Sequence, residues 1–180
     1  MADERPEALS VNGKEYRILS LLGKGKGGYS YLAEAAGAGE GGRVVLKQIH
    51  HEPCAYYAFG NKIEAERSDY RRLADVGIRM PRLLDIDATN ERILKEYIDG
   101  PTVAELVRGG ALSPECLEQA RAMSRLLRAA RLNIDWYPTN FVIRDSLLHY
   151  IDYECNPYAD QWSFETWGLQ YWTPAPDATA

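Results

Sequence analysis

Several things are missing from this chain, and each absence removes a class of answer. No stretch approaches the roughly 18 apolar residues that a membrane span requires. The N-terminus, MADERPEALS, has neither the apolar run of a secretory signal nor the basic, acid-poor character of a transit peptide. Three cysteines, Cys54, Cys116 and Cys155, include no C-x-x-C pair, and an odd count makes a poor disulfide framework. The expected compartment is therefore reducing and cytoplasmic. Positive charge is in deficit: 21 Lys and Arg against 26 Asp and Glu leave −5, which argues against a nucleic acid bound directly through phosphate contacts. No internal repeat or long linker appears. What remains is 180 residues, 26% of them charged, close to the roughly 25% of an ordinary folded domain, and long enough for one core rather than two.

The ends are small, polar and proline-bearing, so residues 1–12 and 173–180 are expected to fray, around a single domain over 13–172. Residues 15–33 alternate as strand, glycine turn and strand, and 34–43 (EAAGAGEGGR) form a flexible hairpin loop. RVVLKQIH, residues 43–50, is a short β-branched strand carrying Lys47. Helical period covers 61–76, with Ile63, Tyr70, Leu73 and Ala74 inward, and Gly77 then Pro81 stop it. Apolar runs at 82–86 and 92–98 flank the turn signal at 87–90 and read as a hairpin. A short helix is expected over 102–108. A longer one starts at the cap Ser113-Pro114-Glu115 and runs to about Arg131, with Leu117, Ala120, Leu127 and Ala130 inward. A loop without period, 132–139, precedes a second hairpin, 141–143 with 147–151, and Trp162 to Trp172 is aromatic at helix-like spacing. Strands dominate first and helices later, an α+β, two-lobed arrangement.

Gly23-Lys24-Gly25-Lys26-Gly27-Gly28 fits G-x-G-x-x-G. A dinucleotide turn needs a helix after the last glycine, but Tyr29-Ser30-Tyr31-Leu32 alternates like a strand. A Walker loop needs Lys-Ser/Thr there, and Tyr29 stands instead. A glycine flap joining two strands can lie over phosphates, with backbone N–H groups unshielded by a Cβ; an ordinary glycine-rich hairpin is the plain alternative. Lys47, mid-strand among apolar neighbours, costs desolvation unless an anion faces it, although an edge-strand lysine facing water is the bland case. The following helix offers Glu64 or Glu66, and phase puts Glu66 with Ile63 and Tyr70 on the buried face. Farther on, Asp135 precedes Asn140 by five residues in a loop stiffened by Pro138, and Asp152 follows twelve residues later. Each alone is a turn residue. Together, in this order, they match a phosphoryl-transfer layout: Asp135 takes the acceptor's proton, while Asn140 and Asp152 hold Mg²⁺ by hard oxygen ligands.

Through LLGKGKGGYSYLAE, VVLK, AERSDYRRLADVGIRMPRLLDID, RILKEYIDG, DWYPTN and HYIDYE, the chain resembles the protein-kinase-like fold over residues 15–160. It is most similar to the small atypical kinases, the RIO kinases and the kinase of the KEOPS tRNA-modification complex. Asp152-Tyr153-Glu154 instead resembles the metal-binding segment of aminoglycoside and choline phosphotransferases. The resemblance implies ATP and Mg²⁺ as cofactors, an N-terminal lobe over about 13–98 and a reduced C-terminal lobe over about 99–172. Gly23, Gly25 and Gly28 would cover the phosphates, with Lys47 and Glu66 orienting them, and the Glu96 carbonyl and Ile98 N–H would hold the adenine edge. The acceptor hydroxyl is left open between protein and small molecule. Four features depart from the pattern: Asn133 where a loop-bracing His is usual, Ser30 against the adenine face, Lys95 behind the adenine pocket, and 26 residues after Glu154 in place of an acceptor-binding subdomain. A partner protein completing that lobe is one expectation, and an ATP-binding scaffold or pseudokinase is the alternative to an enzyme.

Other candidates read more plainly. His50-His51 with Cys54 lacks a second ligand pair for a metal. Cys155 reads as a small buried residue rather than an oxidisable thiol. Trp162, Phe164, Trp167 and Trp172 are expected to close a core rather than to form a stacking platform.

Overall fold

The computed structural model describes residues 6–35, 42–53 and 60–173, and its chain contacts divide it into two compact units. The first comprises Met1–Arg67 with Pro81–Tyr97, the second Ser68–Met80 with Ile98–Ala180. Cys54, most of the loop expected over 34–43, and the tail beyond Thr173 lie outside the described residues.

The first unit holds an antiparallel sheet of six strands: β1 (Ala8–Val11), β2 (Lys14–Lys24), β3 (Gly28–Ala35), β4 (Arg43–Ile49), β5 (Leu83–Asp87) and β6 (Arg92–Glu96). Their spatial order is β1-β2-β3-β4-β6-β5. Period-two alternation puts Tyr16 and Ile18, Tyr31 and Ala33, Leu46 and Leu94 into one core with Val11. The expected fraying of residues 1–12 therefore fails at Ala8–Val11, where Val11 is only 1% exposed. Asn12 and Gly13, at φ 48° and 81°, make a two-residue turn of the type that Asn-Gly favours.

That turn is anchored far along the chain. The Asn12 backbone N–H donates to Asp87 Oδ2 at 2.9 Å, and its side-chain amide donates to Asp85 Oδ1 at 2.9 Å and to the Ile86 carbonyl at 3.1 Å. Asp87 also accepts from the Asn90 backbone and side chain at 2.9 and 2.8 Å. These bonds, the Asn90 side chain first, favour the carboxylate and lower the Asp87 pKa to about 2. A lowered folded-state pKa stabilises the fold above the ordinary Asp value of about 4, and the gain fades as pH falls toward 2. Asp87→Ala is expected to melt below the wild type at pH 7 and to approach it at pH 2, which thermal melts across that range would check.

Helix α1 (Lys62–Val76) begins in the first unit and ends in the second. Ile63 and Leu73 are buried with Glu66 and Tyr70 partly so, but Ala74 is exposed. The buried stripe thus runs 63, 66, 70 and 73, and Ala74 falls one step past it. Gly77 at φ 87° closes the helix. Its N–H donates to the Ala74 carbonyl and that of Ile78 to Leu73, both at 3.0 Å, the paired bonds of a Schellman stop.

In the second unit α2 (Val103–Arg108) starts on a capping box of Thr102 with Glu105, and α3 (Pro114–Ala129) starts on Ser113. Ala120 and Leu127 face the core, Leu117 packs beside it, and Ala130 is exposed as the C-cap. The expected loop over 132–139 instead contains β7 (Leu132–Ile134) and the start of a 3₁₀ turn, Pro138–Asn140. Strands β8 (Phe141–Arg144) and β9 (Leu147–Tyr150) make the hairpin, and β10 (Cys155–Pro157) pairs antiparallel with β7. The chain closes through Asp160–Trp162, a π-turn Phe164–Gly168, and α4 (Leu169–Trp172). Phe164 and Trp172 are buried and Trp167 packs beside them, but Trp162 is 53% exposed, so the aromatic end is not wholly core. The architecture is α+β. No helix among the described residues is long and apolar enough to cross a membrane.

Candidate functional site

The glycine segment is the turn between β2 and β3. The Gly25 N–H donates to the Gly28 carbonyl at 2.9 Å and closes it. A Cβ on Gly28 would stand 2.7 Å from the Gln48 carbonyl and 3.3 Å from the Lys47 chain, so close approach demands glycine there. A Cβ on Gly23 would meet nothing within 4 Å; that motif position is not enforced by packing.

Lys47, in β4, is in register with Ser30 on β3 and Ile93 on β6. Its amine meets Glu66 Oε1 at 2.5 Å, with both side chains largely buried. Glu64 turns instead to Arg67 at 3.2 Å. The helical phase that separates the two acids thus also decides which one reaches the strand. Glu66 Oε2 is buried and takes no hydrogen bond among the described residues, leaving this carboxylate with unused acceptor capacity. Lys95 is buried within β6, in register with Val45 and Leu83.

Residues with no motif signal hold the glycine turn. The Lys24 amine meets Glu52 at 2.7 Å and lies 5.0 Å over the Tyr29 ring, while the Tyr29 hydroxyl donates to Glu52 at 2.5 Å. The hydrogen bond to Glu52 raises the Lys24 pKa, and the same bond lowers that of Glu52. His50 Nε2 lies 3.1 Å from the Gly25 carbonyl, and its Nδ1 accepts the Glu52 backbone N–H at 3.3 Å. A ring with its proton on Nε2 suits both contacts. His51 faces Glu91 at 2.7 Å. The Lys62 amine, on the first residue of α1, donates to the Lys26 carbonyl at 3.4 Å and the His50 carbonyl at 3.3 Å.

In the second unit the acidic residues gather around β7, β9 and β10. Antiparallel pairing of Ile134 with Cys155 sets Asp135 beside Glu154. The Ile151 N–H donates to the Asn140 carbonyl at 2.9 Å, which ties Asn140 to the residue preceding Asp152. The Asn140 amide nitrogen donates to the Asp135 carbonyl at 3.3 Å, so its side-chain oxygen is turned away from that carbonyl. Asp135 is exposed and accepts the Tyr137 N–H at 3.0 Å; Asp152 accepts the Tyr153 N–H at 2.8 Å.

Two buried residues organise this loop. The Tyr150 hydroxyl donates to the Glu154 carbonyl at 2.9 Å and receives a backbone hydrogen bond from Asp135. Burial, then the fields of Asp152, Asp135 and Glu154, hold its pKa well above the ordinary tyrosine value, so it stays a hydroxyl. Asn133, where the related pattern has His, accepts from Trp136 Nε1 at 3.0 Å and donates to the Trp162 carbonyl at 2.7 Å. It braces the loop by its own amide.

Burial raises the thiol pKa of Cys155 to about 12 and that of Cys116 to about 11, which leaves both protonated and unreactive near neutrality. Among the described residues no group of three or more His, Cys, Asp or Glu is placed to hold a metal ion. Mg²⁺ asks for less: it keeps several waters and takes one or two protein oxygens alongside phosphate. The amide and carboxylate of Asn140 and Asp152 fit that chemistry.

No family model matches the chain. It is 26% identical over 93 residues to the KEOPS complex subunit Bud32 of Pyrococcus abyssi, covering 50% of this chain and 42% of that protein. It is 29% identical over 104 residues to the serine/threonine-protein kinase PknA of Nostoc sp., covering 54% of this chain and 18% of that protein. The chain therefore spans less than half the length of these curated relatives. The similarity supports a distant protein-kinase-like relationship.

Proposed function

We propose that the chain is an ATP- and Mg²⁺-dependent phosphotransferase that moves the γ-phosphoryl group to a hydroxyl acceptor, on a protein in the Ser/Thr manner or on a small molecule. The observation that carries this reading is the Lys47–Glu66 ion pair at 2.5 Å, with the Lys47 chain set against Gly28 in the glycine turn. In this reading Gly23, Gly25 and Gly28 cover the phosphates, and Lys47, held straight by Glu66, contacts their oxygens. Glu96 and Ile98 take the adenine edge. Asn140 and Asp152 would hold Mg²⁺, which when bound would supply neutralisation of phosphate charge. Asp135 accepts the acceptor hydroxyl's proton as the new O–P bond forms, and the bond from the γ-phosphorus to the β–γ bridging oxygen breaks to release ADP.

The test is γ-phosphate release from labelled ATP, with and without hydroxyl acceptors. Lys47→Met is expected to lower kcat/KM by roughly 10- to 100-fold, the worth of a charge-assisted hydrogen bond to phosphate. Equal turnover by wild type and variant would remove the reading. A nucleotide-binding scaffold is the second reading, favoured by Lys95, a charged residue 5% exposed within β6. It predicts thermal stabilisation by ATP, about 2.7 kcal/mol at 100 times the dissociation constant, without phosphate release.

A further inference from the structure

We propose that the outer face of α3 is a self-association surface, on which a second copy of this chain packs antiparallel about a two-fold axis near Ala122, with or without nucleotide. Cys116, Ala120, Met123, Ser124 and Leu127 turn one face of α3 into the core. The opposite face follows at steps of three and four: Glu118, Ala122, Arg125, Leu126 and Ala129, all exposed or half-buried. Leu126 is 46% exposed there. A second exposed leucine stands beside the first half of the helix. Gln119 donates to the Ser146 carbonyl at 2.9 Å and accepts the Leu148 N–H at 3.0 Å, which sets Leu147, 43% exposed, next to it. Single exposed leucines are ordinary. Two of them before and after Ala122, on the same side of the helix, make a patch.

The order of charges selects the occupant. Acids come first on α3, Glu115 and Glu118, and arginines last, Arg121, Arg125 and Arg128. The helix dipole accounts for Glu115 and Arg128 in the end turns, but its effect falls off before Glu118 and Arg125. A second α3 laid end for end sets its basic half against the acidic half of the first, whereas a parallel copy would set like charges together. A two-fold axis also keeps each side of the helix facing the same side of its copy. With the axis near Ala122, Glu118 meets Arg125 of the copy, and Leu126 meets Gln119 and Leu147 of the copy. Symmetry makes each contact twice. The small Ala122 side chain lets the two helix axes approach to about 8–10 Å. Within one chain Glu118 holds Arg121 at 2.6 Å, an exposed pair of little worth, so it can turn to the copy.

Sedimentation velocity of the whole chain over roughly 5 to 500 µM tests this, since one helix face buries less than a standard interface and gives a weak dimer. The wild type is expected to move from the 20.3 kDa monomer toward twice that mass. Arg125→Glu and Glu118→Arg each set like charges opposite one another at both symmetric contacts, and each is expected to weaken the dimer by about tenfold or more. An equimolar mixture of the two variants, and the double variant alone, re-form both ion pairs and are expected to return to within about threefold of wild type. Leu126→Ser, which leaves the charges in place, is expected to weaken association by about threefold or more. A circular-dichroism melt of each variant accompanies the runs. A wild type that stays monomeric throughout, or a dimer that neither charge variant weakens, overturns the surface. So does a mixture no tighter than the single variants, because Glu118 and Arg125 then share no contact. Each of these results leaves the nucleotide reading in place.

Discussion

Asp135→Asn is expected to lower γ-phosphate release by about 10³-fold, within the range for loss of a general base, while ATP affinity and melting temperature stay near wild type. Structural neutrality follows from the contacts. Asp135 is exposed, and among the described residues its carboxylate accepts the Tyr137 N–H at 3.0 Å, a bond that an asparagine oxygen accepts equally well. Asp152→Asn likewise keeps the bond from the Tyr153 N–H but removes a negative charge from the proposed Mg²⁺ ligand set. Its loss is expected to be of the same order and to be partly relieved by raised Mg²⁺, whereas that of Asp135→Asn is not. Turnover by Asp135→Asn within a few-fold of wild type would remove Asp135 as the base. Absence of wild-type turnover, alongside stabilisation by ATP, would leave the scaffold reading.

Much of the fold was legible because its determinants are local. The α1 boundaries follow from a period and a glycine stop, α2 and α3 from caps that lie within three residues of the bonds they make. What escaped was short or held from afar. Strand β1 is four residues long, and its turn is fixed by bonds to Asp85 and Asp87 more than 70 positions away. A signal existed in Asn12-Gly13, the strongest short hairpin cue, but the polar, proline-bearing run Asp3-Glu4-Arg5-Pro6-Glu7 earlier in the segment masked it. Strands β7 and β10 have three residues each, too few for alternation to register, and they exist because they pair with each other. Ala74 and Ala130 were placed inward by a period that one residue of drift near a helix end is enough to break.

The candidate site divides along the same line. Glu66 could be chosen over Glu64 because a helix phase is computable from sequence, and the ion pair forms with Glu66. Lys62, His50 and Tyr150 could not be chosen, because each acts through backbone atoms, and a carbonyl carries no residue signature. Asn133 illustrates the converse. Its substitution for histidine was legible as a departure, but the compensation lies in two partners, Trp136 and the Trp162 carbonyl, that only folding brings together.

Those partners set the largest expected effect on stability. Trp136, next to Asp135, is 1% exposed. Its ring stacks on Phe141 at 5.6 Å and meets Phe164 at 5.1 Å, and its carbonyl accepts Trp172 Nε1–H at 2.7 Å. A Cβ on Gly168 would stand 2.7 Å from its Cβ, so the π-turn is packed directly on this residue. Trp136→Ala opens a cavity among rings that are themselves fixed by one another, and is expected to cost about 3–5 kcal/mol. For a chain of this size that lowers the melting temperature by roughly 6–20 °C. Asn133→Ala removes no ring but strands the buried indole N–H, at about 1–3 kcal/mol. Because both changes act through one hydrogen bond, the double variant is expected to cost less than the sum of the singles. Thermal melts of the three variants would test this; strict additivity would show that Asn133 and Trp136 stabilise the loop independently, and the brace would then have to be assigned elsewhere.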